Sequence, residues 1–183
     1  SRYFLFSFLP RSMAPFQSDA EKIRQLEFRV QSLKQANQQL YRQQEQFRTT
    51  FAQAAVGIVH TGVGGEFLVV NPTFCKMVGY GANELTAMTF VELTYEQDLD
   101  NNLSQMNRLL AGEVDTIDLE HRYCRADGSL IWVHATLSLV RQEDGSPDYL
   151  IMVVQDISDR KEAEAERAAT QQELKRTTSR LQT

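Results

Sequence analysis

The stretch Gly57-Ile58-Val59-His60-Thr61-Gly62-Val63-Gly64-Gly65-Glu66-Phe67-Leu68-Val69-Val70-Asn71-Pro72-Thr73-Phe74 decides the fold. Its start, Gly57–Thr61, reads as a strand. Gly62, Gly64 and Gly65 make a turn, and Glu66–Val70 returns as the second strand of a hairpin. Asn71-Pro72 ends that strand, and Thr73–Val78 is a short helix closed by Gly79. Two further helical pieces are expected around Asn83–Leu85 and Phe90–Leu93. A longer helix, Glu96–Leu110, places Leu99, Leu103, Met106 and Leu110 on one face and stops at Ala111-Gly112. Three strands follow: Thr116–Cys124, Leu130–Val140 and Tyr149–Ile157. They are joined by turns at Ala126-Asp127-Gly128 and Glu143-Asp144-Gly145-Ser146-Pro147. Hairpins on both sides of a run of small helices predict an α+β domain of ~100 residues, with a five-stranded antiparallel sheet and the helices on one face.

Upstream the texture changes. With Ile23 at heptad position a, Val30, Asn37, Gln44 and Phe51 also fall at a, and Leu26, Leu33, Leu40 and Phe47 fall at d. Seven of these nine positions are apolar, and no Gly or Pro interrupts Asp19–Ala55. This is a coiled-coil seam sustained over four heptads, with Ser18 or Asp19 as its cap. Asn37 at an a position is satisfied best by its twin in a parallel dimer. The alternative, one amphipathic helix lying on the domain, calls for a wider apolar face. Downstream of Asp156, a plausible cap, residues 158–183 are charged and helix-prone. Their best seam, Ala163, Arg167, Thr170, Leu174, Thr177 and Leu181, is weak, and the helix reads as leading into a further domain. The expected divisions are a disordered tag or leader at 1–17, a coiled-coil helix at 18–46, the α+β domain at 47–157 and a linker helix at 158–183.

Composition narrows the function. A net charge of −5 over 183 residues argues against binding nucleic acid or an anionic membrane surface. Cys75 and Cys124 form no CxxC pair, so a cysteine zinc site and a secreted disulfide scaffold are both disfavoured, and a reducing cytoplasm is the default. No apolar run reaches the roughly 18–20 residues needed to span a bilayer. Tyr3–Leu9 is too short, and Met13 is a possible natural start.

The ordered motifs resemble the PAS (S-box) family. They are Phe67–Phe74, Val78-Gly79-Tyr80, Glu84-Leu85, Asp127-Gly128-Ser129 with Trp132-Val133, and Asp156-Ile157-Ser158-Asp159-Arg160-Lys161. Each motif is weak alone. The set, running from about Phe47 to Lys161, is specific. The sequence departs from the pattern at Gly64-Gly65, where the family favours Asp-Gly. It departs again at Tyr95-Glu96-Gln97-Asp98, where the family favours His-Pro-Asp-Asp. The resemblance implies a ligand site between the sheet and the small helices. Period-two alternation puts Val59, Thr61, Ile117, Leu119, His121, Tyr123, Val133, Ala135, Leu137, Met152 and Val154 on the inner face, with His60, Trp132 and His134 outside.

From that set, His121, Tyr123, Thr61, Ala135 and Met152 are the candidate ligand contacts. The opposing expectation is a His–Tyr pair satisfied within a closed core. The resemblance puts Phe90 where flavin photoreceptors of the family carry their reactive cysteine, so adduct chemistry is not expected. The helix Glu96–Leu110 has no His for a haem, and Trp132 is a packed aromatic rather than evidence for FAD. No cofactor is assigned. No catalytic residues and no metal site are expected: there is no nucleophile elbow, HExxH or P-loop. Acidic pairs such as Asp98/Asp100 are expected to be solvated. The expectation is a homodimeric cytoplasmic sensor fragment that passes a signal through Asp156 and Ile157 to an output domain outside this chain. Its dimer seam is Ile23, Leu26, Val30, Leu33, Asn37, Leu40, Phe47 and Phe51. The alternatives are a ligand-free dimerisation module, or the regulatory part of a histidine kinase or diguanylate cyclase.

Overall fold

A computed structural model describes residues 19–181. The expectation of a disordered leader at 1–17 lies outside the described residues, as does the capping role of Ser18. The chain divides into two units between Phe47 and Arg48.

The first unit consists, among the described residues, of the greater part of one helix, α1 (Asp19–Gln53). Its 35 residues extend about 50 Å at 1.5 Å per residue, and none is buried. The apolar seam positions Ile23, Leu26, Val30, Leu33 and Leu40 are between 49% and 68% exposed.

The second unit holds β1 (Gly57–Gly62), β2 (Phe67–Val70), α2 (Pro72–Val78), α3 (Ala82–Leu85), α4 (Phe90–Leu93), α5 (Glu96–Leu110), β3 (Thr116–Cys124), β4 (Leu130–Arg141), β5 (Pro147–Asp156) and α6 (Ser158–Leu181). The five strands form one sheet in the order β2-β1-β5-β4-β3. Every neighbouring pair is antiparallel. The last strand therefore lies at the centre, with Val59 opposite Met152 on one side and Leu137 opposite Met152 on the other.

Local chemistry accounts for these elements. Gly65 takes φ +93° in the β1–β2 turn, and a Cβ there would strike the Phe90 ring, so this position needs glycine on two counts. Asn71 is a completely buried hub. Its Oδ1 accepts from Phe74 N, capping α2, and from Ile58 N, while its Nδ2 donates to the carbonyls of Phe51 and Val56. Pro72 occupies the first helical position, where no N–H is missed. Gly79 closes α2 in the left-handed conformation at φ +80°.

The inner face of the sheet is the core. Val59, Ile117, Tyr123, Val133, Ala135, Leu137, Met152 and Val154 are buried there together with Phe67, Phe74, Leu85 and Leu93 from the hairpin and small helices. The alternation expected from the sequence holds on β1, β3, β4 and β5: Thr61 and His121 are also buried and Leu119 is half-buried, whereas the outward-facing His60, Trp132 and His134 are only half-buried.

Three expectations need correction. The α5 face that packs on the sheet presents Asn102, Met106 and Leu109; Leu103 is 37% exposed. The apolar count passed over Asn102 because it is polar, and Leu109 because it stands beside Leu110. Strand β5 begins at Pro147 and ends at Asp156. The β4–β5 turn is tighter than Glu143–Pro147, because Gly145 N donates to Gln142 O, and Gln142 N to Ser146 O. Asp98 is not a solvated acid. Its carboxylate takes Arg122 Nε and Nη2 at 2.9 and 2.7 Å and Arg122 N at 2.8 Å. These bonds tie the first turn of α5 to β3 and hold the Asp98 carboxyl below its ordinary range.

Candidate functional site

A cavity of about 20 Å³ lies between the inner face of the sheet and the helices α4 and α5. Thr61 from β1, His121 and Tyr123 from β3, and Met152 from β5 line it, together with Phe90, Asn102, Met106, Ile117, Leu119 and Leu137. The structure thus gathers four of the five candidate ligand contacts around one space. Ala135 is fully buried on β4 but does not line the cavity.

His121 and Tyr123 are two residues apart on one strand, so their rings meet on one face. The centroids are 4.6 Å apart, and the rings are nearly perpendicular at 82°. The Tyr123 hydroxyl donates to Met152 Sδ at 3.5 Å, a weak bond to a poor acceptor. Burial raises the Tyr123 phenol far above its ordinary value. Burial also pushes the His121 imidazole down to about 4, against a smaller upward pull from the Asp98 carboxylate. His121 is therefore neutral at pH 7. Its Nδ1 has no hydrogen-bond partner, and neither does Asn102 Oδ1.

Asn102 is the site residue that sequence reasoning missed. The usable signal was its position one helical turn before Met106, on the stripe that faces the sheet. A cavity this small holds about one water. Drug-sized ligands occupy pockets of roughly 300–1,000 Å³. Neither a flavin nor a haem fits among these side chains as they stand. Among the described residues, no group of three or more His, Cys, Asp or Glu could hold a metal ion.

The second feature is the junction where the sheet passes into α6. Asp156 Oδ1 accepts from Ser158 N at 2.9 Å, satisfying the first N–H of α6 from one position outside the cap, Ile157, whose carbonyl accepts from Lys161 N. The other Asp156 oxygen lies 3.8 Å from Arg125 Nη2. Ile157 is buried, and its N–H donates to Trp132 O at 3.0 Å. On β3, Glu120 receives Arg160 Nη2 and Lys161 Nζ, each at 2.6 Å. Those two bonds pull its carboxyl down to about 2. The Lys161 ammonium also lies 5.0 Å from the Trp132 ring centroid, and the Arg122 guanidinium lies 4.9 Å from it. Trp132 therefore serves as an outer-face platform for two cations. Phe51, the last position of the expected seam, is half-buried, with its ring 6.1 Å from His60 in an edge-on contact.

Residues 67–154 match the family model described as the PAS fold. The chain is 36% identical over 118 residues to the probable diguanylate cyclase DgcE of Escherichia coli (strain K12); the match covers 64% of this chain and 11% of that protein. It is 28% identical over 142 residues to the sensor histidine kinase TmoS of Ectopseudomonas mendocina, covering 78% of this chain and 15% of that one. The chain thus spans a small fraction of the length of either relative. The crystal structure of the PAS domain of an HTR-like protein from Haloarcula marismortui superposes with a TM-score of 0.59 at 23% identity, covering 68% of this chain and 99% of that one.

Proposed function

Because this chain carries a domain of the PAS family, spanning residues 67–154, we propose that it is a sensory relay module. It dimerises through α1 and hands a conformational change in its core to α6 and to an output domain of a longer signalling protein. The relatives' names point to a histidine kinase or a diguanylate cyclase as that output. The chain itself performs no chemistry in this reading. It works in the cytoplasm, in keeping with described helices none of which is long and apolar enough to cross a membrane.

One observation carries the relay: β5 is both wall and lever. Met152 lines the cavity, and Asp156, four residues on, accepts from the first N–H of α6. Because β5 is hydrogen-bonded on both edges, a change at Met152 cannot be absorbed by a free strand. It reaches the Asp156–Ile157 junction instead. Dimerisation rests on the exposed apolar seam of α1 and on Asn37 at its a position, which a second parallel copy would satisfy.

The test uses the longer protein. Inserting one to seven residues after Lys161 should give output that rises and falls with a period of about seven residues, the repeat of a coiled coil. Output that does not vary with insertion length would reject the relay.

A further inference from the structure

Glu120 and Arg122 stand two residues apart on β3, so both side chains rise from the outer face of the sheet. Their opposite charges start about 6.7 Å apart along the strand, within reach of each other. Each is engaged elsewhere. Arg122 turns to the first turn of α5: its Nη2 and Nε meet the Asp98 carboxylate at 2.7 and 2.9 Å, and its guanidinium lies 4.4 Å from the Tyr95 ring centroid. Glu120 takes Arg160 and Lys161 of α6. Trp132, opposite Arg122 on β4, bears on both groups, since its ring is near Arg122 and Lys161 alike.

The same side chains have a second set of partners. Glu164 of α6 already lies 3.5 Å from Arg160 Nη1 and 3.7 Å from Lys161 Nζ. With Arg122 on Glu120, both α6 cations would keep Glu164, a partner on their own helix, and lose their hold on the sheet. Arg122 would displace them rather than join them, because a guanidinium occupies both carboxylate oxygens in one fork. Only Asp98 would be left over. Its side chain is 17% exposed where it stands, and an unpaired carboxylate is costly there. The exchange therefore needs the first turn of α5 to move out and carry Asp98 into water.

We propose that Arg122 is the moving part of a charge-exchange latch between α5 and α6. Held by Asp98, it leaves Glu120 to anchor α6; released, it takes Glu120 and frees the start of α6. This coupling runs along the outer face of β3, the edge strand, and does not pass through β5. Its use as a signal rests on the sensory relay described above, but the exchange itself does not.

Hydrogen exchange on the whole chain tests the latch. Asp98→Asn keeps the shape of the side chain and removes the charge that holds Arg122. The expected result is exchange at least twofold faster across residues 158–164, with the β5 amides unchanged, although the Asp98 carboxylate bonds only to Arg122. The decisive comparison repeats the change in an Arg122→Met background. Without the competing guanidinium, Asp98→Asn should leave residues 158–164 as they are in Arg122→Met alone. If Asp98→Asn does not fold, Tyr95→Leu takes its place in both backgrounds, since it removes the ring that holds Arg122 towards α5. Equal exchange in wild type and Asp98→Asn, equal acceleration with and without Arg122, or acceleration that spreads through β5 would each overturn the proposal. The insertion series after Lys161 reads output rather than exchange, so the latch and the relay can fail separately.

Discussion

His121 keeps an imidazole where a charge is expensive, and this shapes the acid stability of the domain. Its pKa is about 4 in the folded chain against an ordinary 6.5. Between these values the unfolded chain binds a proton that the folded chain refuses. Stability is therefore fully present above about pH 6.5 and lost as the pH falls towards 4. His60, also lowered by burial, acts in the same direction. Asp98 and Glu120, whose carboxyls are lowered, come into play as the pH falls below their ordinary carboxylate values. Urea unfolding at pH 7 and 4.5 should show that the wild type loses roughly 2 kcal/mol more than His121→Leu does over the same interval. Equal losses would mean that His121 titrates normally. At this scale the sequence was only partly legible. Alternation placed His121 and Tyr123 on the inner face, because strand period is fixed by geometry. Asn102 escaped because a polar residue on a helix reads as solvent-facing until its packing partner is known. From its neighbours Asn71 reads only as a strand end. Its four hydrogen bonds reach Phe51, Val56, Ile58 and Phe74, and no local pattern announces such long-range partners.

Among the elements, the one whose attachment matters most is α6. Its mean composition is strongly polar, and its contacts with the sheet are concentrated at its start, through Ile157, Arg160 and Lys161. Glu120 answers both cations and stays ionised throughout the neutral range, so α6 is pinned by a charge cluster rather than by an apolar face. Replacing Glu120 with Gln keeps the shape and removes the charge. Because solvent screens exposed ion pairs, each contributes little, and the expected effect is an approximately two- to tenfold faster hydrogen exchange across residues 158–164, with the sheet amides unchanged. Unaltered exchange in that segment would show that the cluster does not hold the helix. The elements themselves were the most legible level of this chain. Gly65, Gly79 and Asn71-Pro72 punctuate them through backbone conformation, which is local. The strand ends moved by a residue or two because turn hydrogen bonds, such as Gln142 to Ser146, decide where pairing stops.

For the molecule as a whole, the open matter is assembly. Helix α1 has 35 residues, none of them buried, and carries a heptad stripe of Ile, Leu and Val; in the proposed dimer Asn37 would make the partner's orientation specific at some cost in stability. Sedimentation of the chain at micromolar concentration should show a dimer. Asn37→Ile should tighten association tenfold or more and admit higher-order species, since a buried amide at an a position favours parallel pairing at a cost in stability. A monomeric wild type would remove the basis for dimerisation. The order of strands has a further consequence for how the protein is made. β1 with β2 and β3 with β4 are two hairpins that do not touch edge to edge; only β5 bonds to both. A nascent chain that has left the ribosome as far as Arg141 therefore carries two separate hairpins with open edges. The sheet closes in one late event, when the final strand slots between its oldest and its newest neighbour.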